Sequence, residues 1–353
     1  MPSVEKSIQY AREHDTIVRV PKRCASSGKE IDICYNDFGK KEDPCILLIQ
    51  GVGTSLLGYD VEGFIQYFVD AHYRVIRFDN RDVGKSTNFN EYNDANLTSL
   101  LRLGLPAWAS LGEKQVYTLD DMVEDCYGLL QVLELVERGV HIFGVSMGGM
   151  IAQQYCITHP DTVLSMTLHM THAGIGDCIK PPLLTYLMFL KRPKSDSPRD
   201  VAESMADFVD TLSHGYRYEK DERGNILENE HNRQMREKVV SFFERISERD
   251  GAQNSLGLPR QAVAVMRAPK RLQRLRDVCG KYQIPVVVMH GGRDPLIPVS
   301  NGYQLAEAIP HAQLVVFPEV GHDFPEDLTR TFAEQTMLNM KTGELKKNSE
   351  KKK

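Results

Sequence analysis

A serine between two glycines is the first candidate for chemistry in this sequence. Ser146 lies in Gly144-Val145-Ser146-Met147-Gly148, where an apolar run meets a helix-like segment. A serine hydroxyl is a weak nucleophile until an adjacent base takes its proton, so this chemistry also needs a histidine and an acid. A tight strand–turn–helix connection needs small residues on both sides of the serine. The pattern therefore predicts a nucleophilic turn whose partners come from elsewhere in the chain.

Two later loops offer those partners. The segment HGGRDPLIP (290–298) places Asp294 just after an apolar run, and FPEVGHDFP (317–325) places His322 after the next one. In a serine–histidine–acid set the histidine accepts the serine proton, and the acid holds the imidazole in the required tautomer. The chain order serine, aspartate, histidine therefore predicts Ser146 as nucleophile, Asp294 as acid and His322 as base.

Hydrogen-bond donors for a developing oxyanion are also expected in two places. One is the amide of Met147, the residue after the candidate nucleophile. The other is the amide of Val52 in the loop GVGTS (51–55), which follows an apolar run. The remaining histidines, among them His141, His159 and His311, have no candidate acid in a suitable loop.

The elements that must hold these loops are strands and helices in alternation. Continuous rather than alternating apolarity is typical of strands buried on both faces of a parallel sheet. The helical pattern from residue 118 opens with Thr118 and Asp121, which resembles a capping box. The alternation predicts an α/β fold with a mostly parallel, doubly wound sheet. The strand-like runs are 30–39, 45–51, 73–79, 140–146, 162–170, 284–292 and 312–318.

The alternation stops between residues 173 and 282, where no comparable strand run occurs. This stretch contains the apolar block LLTYLMFL (183–190) and a basic run at 260–276 that is expected to be one helix. We interpret it as a helical cap inserted over the sheet. The predicted organisation begins with an N-terminal extension at 1–27. The α/β core comprises 28–172 and 283–338, and the cap at 173–282 is inserted between these two parts. A lysine-rich disordered tail follows at 339–353.

Composition narrows the possible partners and compartment. A formal charge of −5 and an isoelectric point near 6.1 indicate no general attraction to nucleic acid. The polar N-terminus lacks the apolar region of a secretory signal, and the apolar stretches fall short of a membrane span. Seven scattered cysteines without a C-x-x-C pair favour reduced thiols, hence a cytoplasmic protein. No metal or organic cofactor is expected, and the oligomeric state is left open.

Five motifs occur in the order found in one protein family. They are QGVGTS, RFDNRDVGKST, GVSMGGMIAQ, HGGRDPLIP and GHDFP, within a stretch spanning roughly residues 28–338. Together they resemble the α/β-hydrolase superfamily, specifically esterases similar to aclacinomycin methylesterase. The resemblance implies an α/β-hydrolase fold, ester hydrolysis, and the roles given above to Ser146, Asp294 and His322. Some relatives place the acid after an earlier strand, which leaves Asp177 as an alternative.

The resemblance also marks two departures from the family pattern. In DNRDVGKS, Asp82-Val83 replaces the start of the usual glycine pair, while Asp79, Arg81 and Ser86 are interpreted as scaffold for the active-site loops. Gln50 stands where many relatives have a histidine before the oxyanion glycine. That residue does not perform the chemistry, so this second departure bears on substrate choice more than on activity.

The function expected from these observations is hydrolysis of a small-molecule hydrophobic ester through an acyl-enzyme. An aminopeptidase of the proline-iminopeptidase type would share the fold and the three residues. It would also need acids that hold a free amine, for which the cap offers Glu203, Asp207 and Asp210. A ligand receptor that retains the three residues is the non-enzymatic alternative.

Overall fold

The structure is a computed structural model that describes residues 13–61, 63–92, 115–174, 176–180, 193–251 and 257–350. Eight strands form one sheet within these residues. They are β1 Thr16–Arg19, β2 Asp32–Phe38, β3 Cys45–Ile49, β4 Arg74–Phe78, β5 Val140–Val145, β6 Val163–His169, β7 Val286–Gly291 and β8 Gln313–Phe317. Their order is β1-β2-β4-β3-β5-β6-β7-β8, and only the pairings of β2 with β1 and β4 are antiparallel. The predicted mostly parallel sheet is therefore confirmed.

Helices cover both faces of this sheet. Those described are α1 Phe64–Asp70, α2 Leu119–Val132, α3 Met147–Thr158, α4 Pro198–Leu212, α5 Glu230–Asp250, α6 Gly257–Met266, α7 Leu272–Tyr282, α8 Ser300–Ala308 and α9 Thr329–Glu350. Leu47 and Ile49 of β3 join one buried cluster with α2, α3, α7 and α8, whereas Ile46 and Leu48 join another with α1 and α9. Successive side chains of a strand point to opposite faces, so an apolar strand such as β3 supplies both layers. No helix in the described ranges is long and apolar enough to cross a bilayer.

Helices α4 and α5 lie between β6 and β7 in the chain and pack against each other. Ala202, Ala206 and Val240 form the small buried cluster between them. Both helices begin at a side-chain cap, because Ser197 accepts from the Asp200 amide and Asn229 accepts from the Asn232 amide. The predicted apolar block 183–190 lies outside the described residues.

The expectation of one basic helix over residues 260–276 is wrong. Helix α6 ends at Met266 and α7 starts at Leu272, with Pro269 in the connection. Proline lacks the amide hydrogen that a continuing helix needs at this point. Leu275 and Cys279 of α7 are buried in the cluster that also contains residues of α3, α8 and the sheet, so this helix is part of that core.

The expectation of a disordered tail from residue 339 is also wrong for the described part, because α9 continues to Glu350. Met340 is fully buried, and the Asn339 amide group donates to the Met166 carbonyl at 3.0 Å. Gly343 lies so close to β6 that an added Cβ would be 2.3 Å from the Leu164 carbonyl oxygen. These contacts hold a segment whose lysine-rich composition alone would not predict a helix.

Candidate active site

Ser146 lies at the sharp turn between β5 and α3. Its backbone has φ 54° and ψ −115°, a conformation that strains any residue with a side chain. A Cβ on Gly148 would lie 1.9 Å from the Ile49 carbonyl oxygen, and one on Gly144 would lie 2.4 Å from the Gly148 carbonyl oxygen. Only glycine fits at these two positions, which explains the spacing seen in the sequence.

The structure brings Ser146, Asp294 and His322 together. His322 Nε2 lies 3.1 Å from Ser146 Oγ, and His322 Nδ1 lies 2.7 Å from Asp294 Oδ2. Asp294 follows β7 and His322 follows β8, so both come from the sheet edge where β5 ends at Ser146. Asp177 takes a different position, where it accepts a hydrogen bond from the Leu272 amide at the start of α7.

Asp294 is held as an ionised acceptor. Burial opposes its ionisation, but the electrostatic interaction with His322 and the hydrogen bonds from His290 and His322 outweigh burial and keep the pKa of Asp294 well below its usual value. The amides of Leu296 and Ile297 donate to its other oxygen at 2.9 and 2.7 Å. A carboxylate can only accept, so His322 Nδ1 carries the proton toward Asp294. The Nε2 lone pair is then free to accept the proton of Ser146 Oγ.

The histidine loop is tied to the helices that precede β7. The His322 amide donates to the Leu212 carbonyl at the end of α4, at 2.8 Å. Asp323 is buried and pairs with Arg217, which follows α4. Burial raises the pKa of Asp323, and the Arg217 charge opposes that shift. Sequence reasoning missed these contacts, because a hydrogen bond to a backbone carbonyl leaves no residue-type signal.

The loop after β3 lies directly against the serine. A Cβ on Gly51 would be 3.3 Å from Ser146 Cβ. Met147 is the first residue of α3, so its amide has no acceptor within the helix. The two predicted oxyanion donors, Val52 and Met147, therefore belong to segments that flank Ser146. The Gln50 side chain accepts from the Gly51 amide at 3.0 Å.

The motif after β4 braces this loop, as the sequence indicated. Asp79 accepts hydrogen bonds from the amides of Leu56 and Lys85 at 2.8 and 2.9 Å. The Ser86 hydroxyl donates to the Asp79 carbonyl at 2.6 Å. Arg81 makes a two-pronged ion pair with buried Asp125, with both nitrogen–oxygen distances at 2.7 Å.

Asp82, which departs from the family pattern, has a role that the sequence did not reveal. Its φ of 66° is a left-handed value that glycine adopts readily and aspartate tolerates. Its carboxylate accepts both arms of Arg260 on α6 at 2.8 Å and the Tyr117 hydroxyl at 2.7 Å. The aspartate at position 82, where the family pattern has glycine, was the sequence signal for the docking of α6 against this segment.

Other histidines of the region do not join Ser146. Burial lowers the pKa of both His169 and His172 to about 3, so both are neutral near pH 7. His141 bonds Ser165 at 2.8 Å, and His159 stacks on Tyr127. Within the part of the chain that the structure describes, no group of three or more histidine, cysteine, aspartate or glutamate side chains could hold a metal ion.

A family model described as the alpha/beta hydrolase fold matches residues 44–327. Rhodomycin D methylesterase DauP of Streptomyces sp. (strain C5) is 21% identical over 317 residues, which cover 84% of this chain and 90% of that protein. The dihydrolipoyllysine-residue acetyltransferase component of the acetoin cleaving system of Pseudomonas putida is 28% identical over 204 residues. That match covers 58% of this chain but only 45% of the relative.

Solved structures resemble most of the chain. A hydrolase from Pseudomonas aeruginosa PA01 superposes with a TM-score of 0.60 at 21% identity, covering 92% of this chain and 98% of the other. At this identity the likeness bears on the fold alone.

Proposed function

Because the chain belongs to the α/β-hydrolase fold family, we propose that it is a serine hydrolase that cleaves carboxylic esters through an acyl-enzyme. The observation that carries this proposal is the hydrogen-bonded path from Ser146 Oγ through the His322 ring to Asp294. The path joins a nucleophile, a base and an ionised acid in the geometry that acyl transfer requires.

The first half of the reaction forms the acyl-enzyme. His322 Nε2 takes the Ser146 proton as Oγ attacks the ester carbonyl carbon. The amides of Val52 and Met147 donate to the resulting oxyanion, and the N-terminal end of α3 favours its negative charge. Collapse of the intermediate breaks the bond to the alcohol oxygen, which receives the proton from His322.

The second half regenerates the enzyme. A water molecule gives a proton to His322 Nε2 as its oxygen attacks the acyl carbon. Collapse of the second tetrahedral intermediate breaks the bond to Ser146 Oγ. His322 returns the proton to that oxygen, and the carboxylic acid leaves. Asp294 remains ionised throughout and stabilises the imidazolium.

The proposed substrates are small or lipid-like hydrophobic esters. Leu258 supports this, because its Cδ1 would lie 3.2 Å from a Cβ on Gly53, next to the proposed oxyanion donor Val52. Each methylene buried in an apolar pocket contributes ~0.8 kcal/mol, or about fourfold in kcat/KM. Parallel measurements on acetate, butyrate and octanoate esters test this, and a flat or acetate-favouring profile would contradict it.

Nucleic acid is not a proposed partner, and with seven free thiols the proposed location is the cytoplasm.

The aminopeptidase alternative receives little support from the candidate acids. Asp207 and Asp210 both pair with Arg236, and Glu203 pairs with Arg199. Asp207 and Asp210 of α4 are therefore paired with α5, and Glu203 is paired within α4, rather than directed at a substrate amine. Parallel assays with p-nitrophenyl esters and aminoacyl anilides separate the two activities, and turnover of neither would favour a receptor.

Replacing the proposed nucleophile tests the function directly. Ser146→Ala should abolish both ester hydrolysis and covalent labelling by a fluorophosphonate, because loss of a triad nucleophile removes almost all of the rate enhancement. Circular dichroism and the melting temperature provide the control for folding. Undiminished labelling of this variant would refute the assignment of Ser146.

A further inference from the structure

A glutamine of helix α6 is hydrogen-bonded to the loop that flanks Ser146. Gln261 is fully buried, and its side-chain oxygen accepts a hydrogen bond from the Gly53 amide at 2.7 Å. Its side-chain nitrogen donates to the Arg81 carbonyl at 2.8 Å. We propose that Gln261 is a positioning residue that sets the orientation of the oxyanion donor Val52, an inference that rests on the proposed function.

The contacts around Val52 explain how this positioning works. On one side of Val52, the Gly51 amide is held by the Gln50 side chain at 3.0 Å. On the other side, the peptide unit joining Val52 to Gly53 is held at both ends. Gln261 binds its N–H, and the Thr54 hydroxyl donates to its carbonyl at 3.3 Å. Fixing both neighbouring groups leaves the Val52 amide little freedom, which is the preorganisation that an oxyanion donor needs.

Helix α6 is itself anchored beside this loop. Arg260, next to Gln261, makes its two-pronged ion pair with Asp82. The first turn of α6 also lies against the segment that follows β4, since a Cβ on Gly257 would be 2.1 Å from the Asp82 carbonyl oxygen. Because α6 is anchored in this way, the hydrogen bond from the Gly53 amide to Gln261 fixes the position of the loop relative to the helix.

A neutral amide is the group that this position requires. The Gly53 amide needs an acceptor and the Arg81 carbonyl needs a donor, and the glutamine side chain supplies one of each. An ionised glutamate would keep the first bond but place an acceptor against the Arg81 carbonyl. A protonated glutamate would restore both bonds with almost unchanged shape. Leucine would leave both backbone groups without a partner.

The test compares Gln261→Leu and Gln261→Glu with Gln154→Leu. Gln154 is a matched control, because it is a buried glutamine on α3 whose side chain donates to Asp120, away from the loop. Gln261→Leu should lower kcat for ester hydrolysis by ~10- to 100-fold, approaching the loss of one oxyanion donor, with KM changed less than threefold. Gln154→Leu should leave kcat within about twofold, even if both variants lose similar thermal stability.

Gln261→Glu supplies a readout that a purely structural role would not move, and it also serves if Gln261→Leu fails to fold. The ratio of its kcat to that of the wild type should rise as the pH falls, because protonation restores the donor to Arg81. Any pH dependence that the two proteins share cancels in this ratio. A pH-independent ratio, or a Gln261→Leu variant with wild-type kcat, would overturn the inference.

Hydrogen exchange at the Gly53 amide separates this inference from the proposed function. Exchange should be faster in Gln261→Leu than in the wild type and unchanged in Gln154→Leu, whether or not any ester is hydrolysed. Absence of ester turnover in the wild type would refute the proposed function while leaving this measurement decisive for Gln261. Unchanged exchange at Gly53 in Gln261→Leu would overturn the positioning role.

Discussion

Replacing Asp294 by asparagine is a sharp test, because the surroundings of this side chain dictate how the new amide must sit. The amides of Leu296 and Ile297 donate to Oδ1, so an asparagine has to keep its oxygen there. Its NH2 group then takes the position of Oδ2 and faces His322 Nδ1. A donor at that point forces the imidazole proton onto Nε2, where it faces Ser146 Oγ. The base is lost although the shape of the site is kept.

The size of the effect follows from the alternative orientation. Turning the amide around would place NH2 against two buried N–H donors, each costing about 1–3 kcal/mol when left without an acceptor. A total of about 2–6 kcal/mol corresponds to a population of the productive orientation lowered by about 30-fold to 10⁴-fold. The same substitution in another serine hydrolase, which also imposes the wrong tautomer, lowers kcat by ~10⁴. We therefore expect Asp294→Asn to reduce kcat by ~10³- to 10⁴-fold.

The assay is the steady-state kcat on a p-nitrophenyl ester, with the melting temperature as the control for folding. Asp177→Asn is the matched variant, because Asp177 contacts the Leu272 amide rather than His322. Its kcat should stay within about threefold of the wild type. A small loss for Asp294→Asn together with a large loss for Asp177→Asn would show that the proposed acid is wrong.

Two further predictions concern stability. Burial and the neighbouring Asp79 raise the pKa of Asp250 to about 6, above its value in the unfolded chain, so its ionisation costs stability as the pH rises through 6. Asp250 also pairs with Arg249, a contact that an asparagine weakens at either pH. The change in melting temperature on Asp250→Asn should therefore be more favourable at pH 8 than at pH 4, and equal changes would contradict this. Gly148→Ala should destabilise the fold by more than about 2 kcal/mol in urea unfolding, because its Cβ would meet the Ile49 carbonyl oxygen at 1.9 Å. On α7, a Cβ on Gly280 would make only an ordinary van der Waals contact with Pro310 Cγ at 3.5 Å. Gly280→Ala should therefore stabilise the fold by about 0.5–1 kcal/mol, and a reversed order would refute the steric argument.

Motif order predicted which loops approach one another, and local patterns predicted how some elements begin. The carboxyl ends of parallel strands meet at one edge, so residues that follow β5, β7 and β8 can meet there although they are far apart in the chain. The predicted capping box of α2 is present, with the Thr118 hydroxyl accepting from the Asp121 amide and the Asp121 carboxylate accepting in return. Such signals are local, because residue type and spacing alone define them.

The wrong predictions involve segments whose state depends on neighbours. Residues 339–350 have the composition of a solvated tail, yet α9 is held by the buried contacts of Met340 and Asn339 with the sheet. The basic run 260–276 predicts one helix, but α6 and α7 are separate, and Leu275 and Cys279 bury one side of α7 in the core. Composition averages over a window, whereas one buried side chain per turn can decide where a helix docks.

The sequence by itself determined seven of the eight described strands, the tight turn at Ser146 and the chain order of the candidate triad, because residue types define strand periodicity, glycine spacing and side-chain chemistry. Strand β1 at Thr16–Arg19 was missed, because it lies in the stretch predicted as an N-terminal extension. Only the tertiary structure decided that Asp294 rather than Asp177 contacts His322, and that Gln261 holds the Gly53 amide. Both outcomes depend on distances of about 3 Å between atoms that are 28 and 208 positions apart in the chain. Such distances arise from the packing of whole helices against the sheet, and no local pattern encodes them.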